Sequence, residues 1–275
     1  MHVVDKIYQK VLNHLAGKPN QTIGLTELAI ELNLNVDLLK NNPKVMKLIE
    51  LHQPGVQSML DWTVREWITY YNQYIHQGFK YHPELQQTWF GVPMLKNPLD
   101  AWVQQEIITK TKPDVIIELG VKFGGSVLYY AHLLDLLGND GRVIGIDISL
   151  TQVKSISHPN IELIESSSTE PSLVEDITKL LHNKTVMVVA DSNHEASHVL
   201  KELELYSKFI QPGYYYVVED GMADFLRLHP VPMDGAYVAI QQFIRENEAF
   251  EIDDCFGERY VLTHNPSGYL RRIKP

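Results

Sequence analysis

A chain of 275 residues, 44% of them hydrophobic, has material for one large domain or for a main domain with an appendage. Its formal charge of −10 argues against nucleic acid or an anionic membrane surface as the principal partner. A single cysteine, Cys255, excludes an internal disulfide. No apolar run reaches membrane-spanning length and MHVVDKIYQKVLNHL lacks a signal peptide's apolar stretch, so a cytoplasmic protein is expected.

Residues 1–88 read as a helical N-terminal region. DKIYQKVLNHL has helical spacing, and LTELAIELNLNVDLLKNN reads as two short helices broken at Asn33 to Asn35. TELAIELNL has a faint helix-turn-helix character, but no basic patch accompanies it and DNA binding is not expected. VQSMLDWTVREWITYYNQYIHQGF is a longer helical pattern dense in aromatics, which suit core packing or a contact between copies.

From about residue 111, apolar runs alternate with helical patterns. DVIIELG (114–120) predicts a strand buried on both faces. GSVLYYAHLLDLLG (125–138) predicts a helix stopping at Gly138. GRVIGIDI (141–148) and NIELIES (160–166) read as the second and third strands, and PSLVEDITKLLH (171–182) as a helix opened by Pro171. TVMVVADS (185–192) and GYYYVVED (213–220) are the fourth and fifth strands. The alternation predicts βαβ units, right-handed crossovers and a mostly parallel α/β sheet.

In such sheets ligands bind beyond the carboxyl ends of the strands. Glu118 closes the first strand and leads into GVKFGGS, where Gly120, Gly124 and Gly125 predict close approach of the backbone to a ligand. The spacing is not that of G-x-G-x-x-G. Asp147 closes the second strand, where an acid can take both hydroxyls of a ribose. The two acids and the glycine turn, in this order, predict a nucleoside ligand. Asp191 closes the fourth strand, and Glu219 and Asp220 close the fifth. Three carboxylates at adjacent strand ends repel unless something positive lies among them. A hard divalent cation with oxygen ligands fits, and Mg²⁺ is the usual one.

ADSNHEASHVLKEL (190–203) carries two readings. His-Glu-Ala-Ser-His matches the H-E-x-x-H of zinc proteases. Yet His194 follows the fourth strand so closely that it falls in the first turn of the next helix, with Asp191 or Ser192 as its cap, and no second helix offers a third zinc ligand. The other reading makes His194 a general base beside the metal and His198 a polar surface residue. The apolar stripe of this helix is Ala196, Val199, Leu200, Leu203, Tyr206 and Ile210.

These residues resemble the metal-dependent O-methyltransferases grouped with rhamnosyl O-methyltransferase and the cephalosporin hydroxylase/methoxylation protein; macrolide-sugar methyltransferases are more distant relatives. The resemblance runs from Trp89 to Arg272, through WFGVPMLKNPLDAWVQQEII, PDVIIELGVKFGGS, VIGIDI, ADSNHEASHVLKELELYSKFIQPGYYYVVEDG and LTHNPSGYLRR. It implies a Rossmann-like class I methyltransferase domain over 89–275: a mostly parallel seven-stranded sheet with helices on both faces. It implies Mg²⁺ or another divalent cation on Asp191, Glu219 and Asp220, with His194 as base and Asp191 catalytic. It implies S-adenosylmethionine at Glu118, Gly120, Gly124, Gly125, Ser126, Asp147 and Asp191. Ser168 is a further cofactor contact, although ESSST has Ser166 where the family turn usually has Gly. A small hydroxylated acceptor, a sugar or natural product, and a homo-oligomer are also implied. The motifs do not cover the N-terminal region, 1–88, whose dense aromatic stretch points to oligomerisation or a lid over the acceptor site. Two other functions stay open: a hydroxylase-type role, and a non-catalytic accessory that binds a nucleoside.

Overall fold

The computed structural model describes residues 7, 10–11, 13–15, 25–42, 45–46, 49, 87–138, 140–154, 156–226, 234–260 and 262–275. The chain divides into two compact units, Met1–Tyr71 and Asn72–Pro275.

In the first unit, the described residues between 7 and 15 are helical, and α1 (Leu25–Glu31) and α2 (Val36–Lys40) follow. The break between α1 and α2 falls where the sequence has its run of asparagines. Asn33 takes a left-handed φ of 49°, which Asn tolerates better than most residues. Asn35 caps α2, its side chain accepting the Asp37 N–H at 2.7 Å. Val11, Leu15, Leu28, Leu32 and Leu39 bury against one another in a core of this unit's own. The aromatic stretch at 56–79 lies outside the described residues.

The second unit opens with a short hairpin, β1 (Thr88–Trp89) and β2 (Val92–Pro93), and with α3 (Pro98–Thr111). Its centre is a seven-stranded sheet of β3 (Val115–Leu119), β4 (Arg142–Asp147), β5 (Ile161–Glu165), β6 (Val186–Ala190), β7 (Tyr215–Val218), β8 (Phe250–Ile252) and β9 (Tyr269–Arg272). The order is β5-β4-β3-β6-β7-β9-β8, and β9 runs antiparallel to both its neighbours. β3 and β6 are buried at every position, as continuous apolar runs require. Helices α4 (Gly125–Leu136), α5 (Pro171–Leu180), α6 (Ala196–Tyr206) and α8 (Ala236–Glu246) cover the sheet, with α7 (Met222–Leu226) after β7 and α9 (Asp254–Gly257) before β9. Residues of α5, α6 and α8, such as Ile177, Leu203 and Ile240, join one core, and residues of α3 and α4, such as Ile107 and Tyr130, join the other. Among the described residues no helix is long and apolar enough to cross a membrane.

The stripe expected on α6 is buried at Val199, Leu203 and Tyr206, and Ile210 beyond the helix joins the same core. Its start is corrected. The helix begins at Ala196 with Glu195 as N-cap, so His194 lies in the preceding loop and neither Asp191 nor Ser192 caps it. The cause is local: the Asn193 side chain accepts the Glu195 N–H at 3.0 Å, and the Ala196 N–H goes to Asp234 O. His194 and His198 are therefore not one helical turn apart, and the zinc-protease geometry is absent.

Candidate active site

The chain leaves β3 through Gly120, at φ +95°. A Cβ there would sit 2.0 Å from the backbone oxygen of Asp191, so this turn lies directly against the end of β6. Asp147, at the end of β4, organises the same turn. Its Oδ2 accepts the N–H groups of Val121 at 2.8 Å and Lys122 at 2.9 Å, and its Oδ1 accepts that of Ser149. A cleft of about 350 Å³ opens over these strand ends. That volume lies in the range of small-ligand sites, roughly 300–1,000 Å³.

Of the residues expected to hold a cofactor, Gly120, Asp147, Ser168 and Asp191 line this cleft. Glu118, Gly124, Gly125 and Ser126 lie outside its lining. Glu118 is fully buried and accepts the Ser126 hydroxyl at 2.8 Å. The space over Gly125 is taken by Pro93 O, 2.3 Å from an ideal Cβ. That glycine makes room for another part of the protein. It lets the segment after the hairpin press against the start of α4 and carry Lys96 inward.

Lys96 is a residue that sequence reasoning missed. Its ammonium is buried among the carboxylates, 2.6 Å from Glu219 Oε1, 3.1 Å from Asp191 Oδ2 and 3.3 Å from Glu118 Oε1. Gln104 Nε2 donates to the same Glu219 oxygen at 2.6 Å, and the Gln104 carbonyl accepts the Tyr130 hydroxyl. Burial works to discharge Lys96, but its anionic neighbours, Glu219 foremost, outweigh it and hold its pKa well above the ordinary value. Burial pushes the carboxyls of Glu118, Glu219 and Asp191 above the usual carboxylate range, and the Lys96 ammonium opposes it at each. The signal was present: three acids at strand ends call for a positive charge, and LKNPLD supplies one.

Beyond this cluster, Asp220 takes a left-handed φ of 59°, costly for a non-glycine residue, while Asn265 Oδ1 accepts its N–H at 3.1 Å. His194 Nε2 stands 3.4 Å from Asp220 Oδ2 and 4.0 Å from Asp191 Oδ1. Asp191, His194 and Asp220 each offer a ligand atom, all within 4.8 Å of one another. The two carboxylates suit a hard divalent cation, and the imidazole stands beside them. Glu219 stands behind it, turned toward Lys96 and Gln104.

His198 is not the surface residue expected. It lines the cleft, with its Nε2 3.2 Å from both Glu202 Oε1 and Ser168 Oγ.

A mostly parallel sheet with an antiparallel β9 beside β7, and a cleft over the ends of β3, β4, β5 and β6, defines the Rossmann-like methyltransferase fold. Solved structures of CmcI share it at low identity. One with Mg and SAM superposes with a TM-score of 0.53 at 22% identity, covering 68% of this chain and 76% of that one. One with SAH gives 0.53 at 19%, covering 78% and 93%. The rhamnosyl O-methyltransferase/CmcI family model matches residues 81–273. The rhamnosyl O-methyltransferase of Mycobacterium leprae is 35% identical over 192 residues, 67% of this chain and 82% of that protein. The Mycobacterium tuberculosis H37Rv protein of the same name is 30% identical over 190 residues, 67% and 78%. The chain belongs to this family and is an O-methyltransferase.

Proposed function

We propose that the protein transfers the methyl group of S-adenosylmethionine to a hydroxyl of a sugar or other natural product, with Mg²⁺ or another divalent cation at the acceptor. The observation that carries this reading is the double position of Asp191, which lines the cleft and also belongs to the Asp191–His194–Asp220 group. One residue thus joins the nucleoside site to the reacting site. Asp147 would hold the ribose hydroxyls, with Gly120 beside it keeping the turn free of side-chain bulk.

Asp191, Glu219 and Asp220 are the oxygen donors proposed for the cation, Glu219 being fixed through one oxygen by Lys96 and Gln104. A bound divalent cation supplies Lewis acidity, which lowers the pKa of a hydroxyl bound to it. His194, 33% exposed beside Asp220, takes the proton of the acceptor hydroxyl. Methyl transfer from a sulfonium is an in-line displacement, so the chain's other task is alignment of acceptor and donor. An iron hydroxylase triad needs two histidines; the group contains one, and His264, with its Nδ1 3.8 Å from Asp220 Oδ1, falls outside it, which disfavours the hydroxylase-type reading. An accessory that only binds a nucleoside would have no use for His194.

The test is release of S-adenosylhomocysteine when the purified protein meets S-adenosylmethionine and a panel of hydroxylated metabolites. Calorimetry with no binding of S-adenosylmethionine to the wild type sinks the reading. We further propose that the N-terminal region, 1–88, serves self-association or covers the acceptor site. Removal of residues 1–85 then changes the mass in solution or the activity; retention of both refutes each role.

A further inference from the structure

A buried carboxylate ties α6 to the loop after β5. Glu202 is fully buried, and among the described residues its ion-pair partner is His198 alone. Its Oε1 accepts the Ser168 hydroxyl at 2.5 Å and the Ser192 hydroxyl at 2.6 Å, with His198 Nε2 at 3.2 Å. Its Oε2 is buried with no hydrogen-bond partner. The Tyr206 hydroxyl adds a bond to Ser168 O at 2.7 Å. These contacts join β5's loop to elements following β6, three strand spacings away in the sheet, roughly 14 Å. A carboxylate buried with so little positive charge around it costs stability. Three of its partners, Ser168, Ser192 and His198, line the cleft.

The chemistry that Glu202 imposes is directional. A hydroxyl that donates its one proton to a carboxylate keeps only lone pairs for any other partner. Ser168 and Ser192 are in that state, so the oxygens left to a ligand are acceptors. Asp147 and Ile148 line the same cleft, and Ile148 is 74% exposed, an apolar surface next to the acid suited to a ribose. A flat base seated there would meet acceptors along this side.

We propose that Glu202 is a positioning residue that fixes the Ser168 and Ser192 hydroxyls as the polar edge reading the cofactor's nucleobase, and that this edge selects a base with an exocyclic amino group. The inference rests on the S-adenosylmethionine reading above. An amino group donates to the fixed acceptors, whereas a keto oxygen in its position faces lone pairs. Glu202 therefore acts on selectivity through the direction of two hydroxyls.

Calorimetry on the full chain, with S-adenosylhomocysteine and its deaminated analogue S-inosylhomocysteine, tests this. The wild type prefers the amino form by about tenfold or more, the scale of one hydrogen bond between wrong and right partners. Glu202→Gln, which lets the hydroxyls reverse, brings the ratio to about threefold or less. Ser168→Ala does the same and covers the case in which Glu202→Gln fails to fold. Binding of neither compound by the wild type overturns the cofactor reading and this inference with it. Binding without discrimination overturns the inference alone. So does an unchanged ratio in the folded variants, including one in which both affinities fall equally, the mark of a purely structural role.

Discussion

Lys96 and Glu219, 123 residues apart in the chain, form a 2.6 Å ion pair with both side chains almost wholly buried. The pair binds the segment before α3 to the end of β7, and through Asp191 and Glu118 to the ends of β6 and β3. Lys96→Met keeps most of the volume and deletes the charge. Glu118 and Glu219 are then buried acids without a counter-ion, and the loss of one partner of such a pair costs about 3–5 kcal/mol. Urea denaturation monitored by circular dichroism measures it. A loss below about 1 kcal/mol would mean that Lys96 is not what holds the acids in place.

Asp100 gives a separable pH effect. It accepts from Thr263, Tyr269, Asn97 and the His264 N–H, yet burial dominates and raises its pKa from 3.8 to about 6. The folded state therefore keeps this proton over a range where the unfolded chain has lost it. The residue's penalty is nil below about pH 4, grows as pH rises toward 6 and is constant above. Two units and a little more correspond to about 3 kcal/mol. Asp100→Asn is free of this term, so its stability relative to wild type improves by about that amount between pH 4 and pH 7. A pH-independent difference in denaturation midpoints contradicts the argument.

Much of this was legible in the sequence because strand ends map onto the cleft. DVIIELG, GRVIGIDI and TVMVVADS became β3, β4 and β6 within a residue or two, and Asp147 and Asp191 fell where a parallel sheet puts its ligand. The start of α6 differs from the sequence expectation because Asn193 competes for the Glu195 N–H, a turn effect that apolar periodicity does not contain. Lys96 escaped because its partner Asp191 is 95 residues away and no local pattern links them. Glu202 left a trace that passed unread. It shares the buried face of α6 with Val199, Leu203 and Tyr206, where a charged residue needs a reason, and His198 lies four residues before it on the same helix.

Asp147 shapes the turn after β3 and is proposed to hold the ribose, and removing it affects both. Asp147→Ala deletes the carboxylate proposed for the ribose and frees the Val121 and Lys122 amides that shape the turn. Affinity for S-adenosylhomocysteine falls by about 1–3 kcal/mol, the worth of charge-assisted hydrogen bonds, or roughly 5- to 150-fold. Unchanged binding would separate the cofactor from this end of the cleft.

Metal dependence gives the last prediction, because the proposed site assigns Asp191, His194 and His198 separate tasks. Asp191→Ala removes a proposed donor shared by the cleft and the Asp191–His194–Asp220 group, and leaves Glu219 and Asp220 with less to hold a cation. Mn²⁺, a spin probe for a hard-metal site, then binds at least tenfold more weakly by electron paramagnetic resonance titration, the scale of one charged ligand lost. His194→Ala keeps the three proposed oxygen donors and loses the proposed base, so Mn²⁺ binding is expected to persist while transfer slows by roughly 10²–10⁴-fold. His198 lies against Ser168 and Glu202, outside the Asp191–His194–Asp220 group, so His198→Ala leaves Mn²⁺ binding unchanged. Chelator abolishes transfer by the wild type and Mg²⁺ restores it. Loss of Mn²⁺ binding in His194→Ala would make that histidine a ligand and move the proton to another acceptor. Loss in His198→Ala with Asp191→Ala intact would put the metal elsewhere in the cleft and refute the site described.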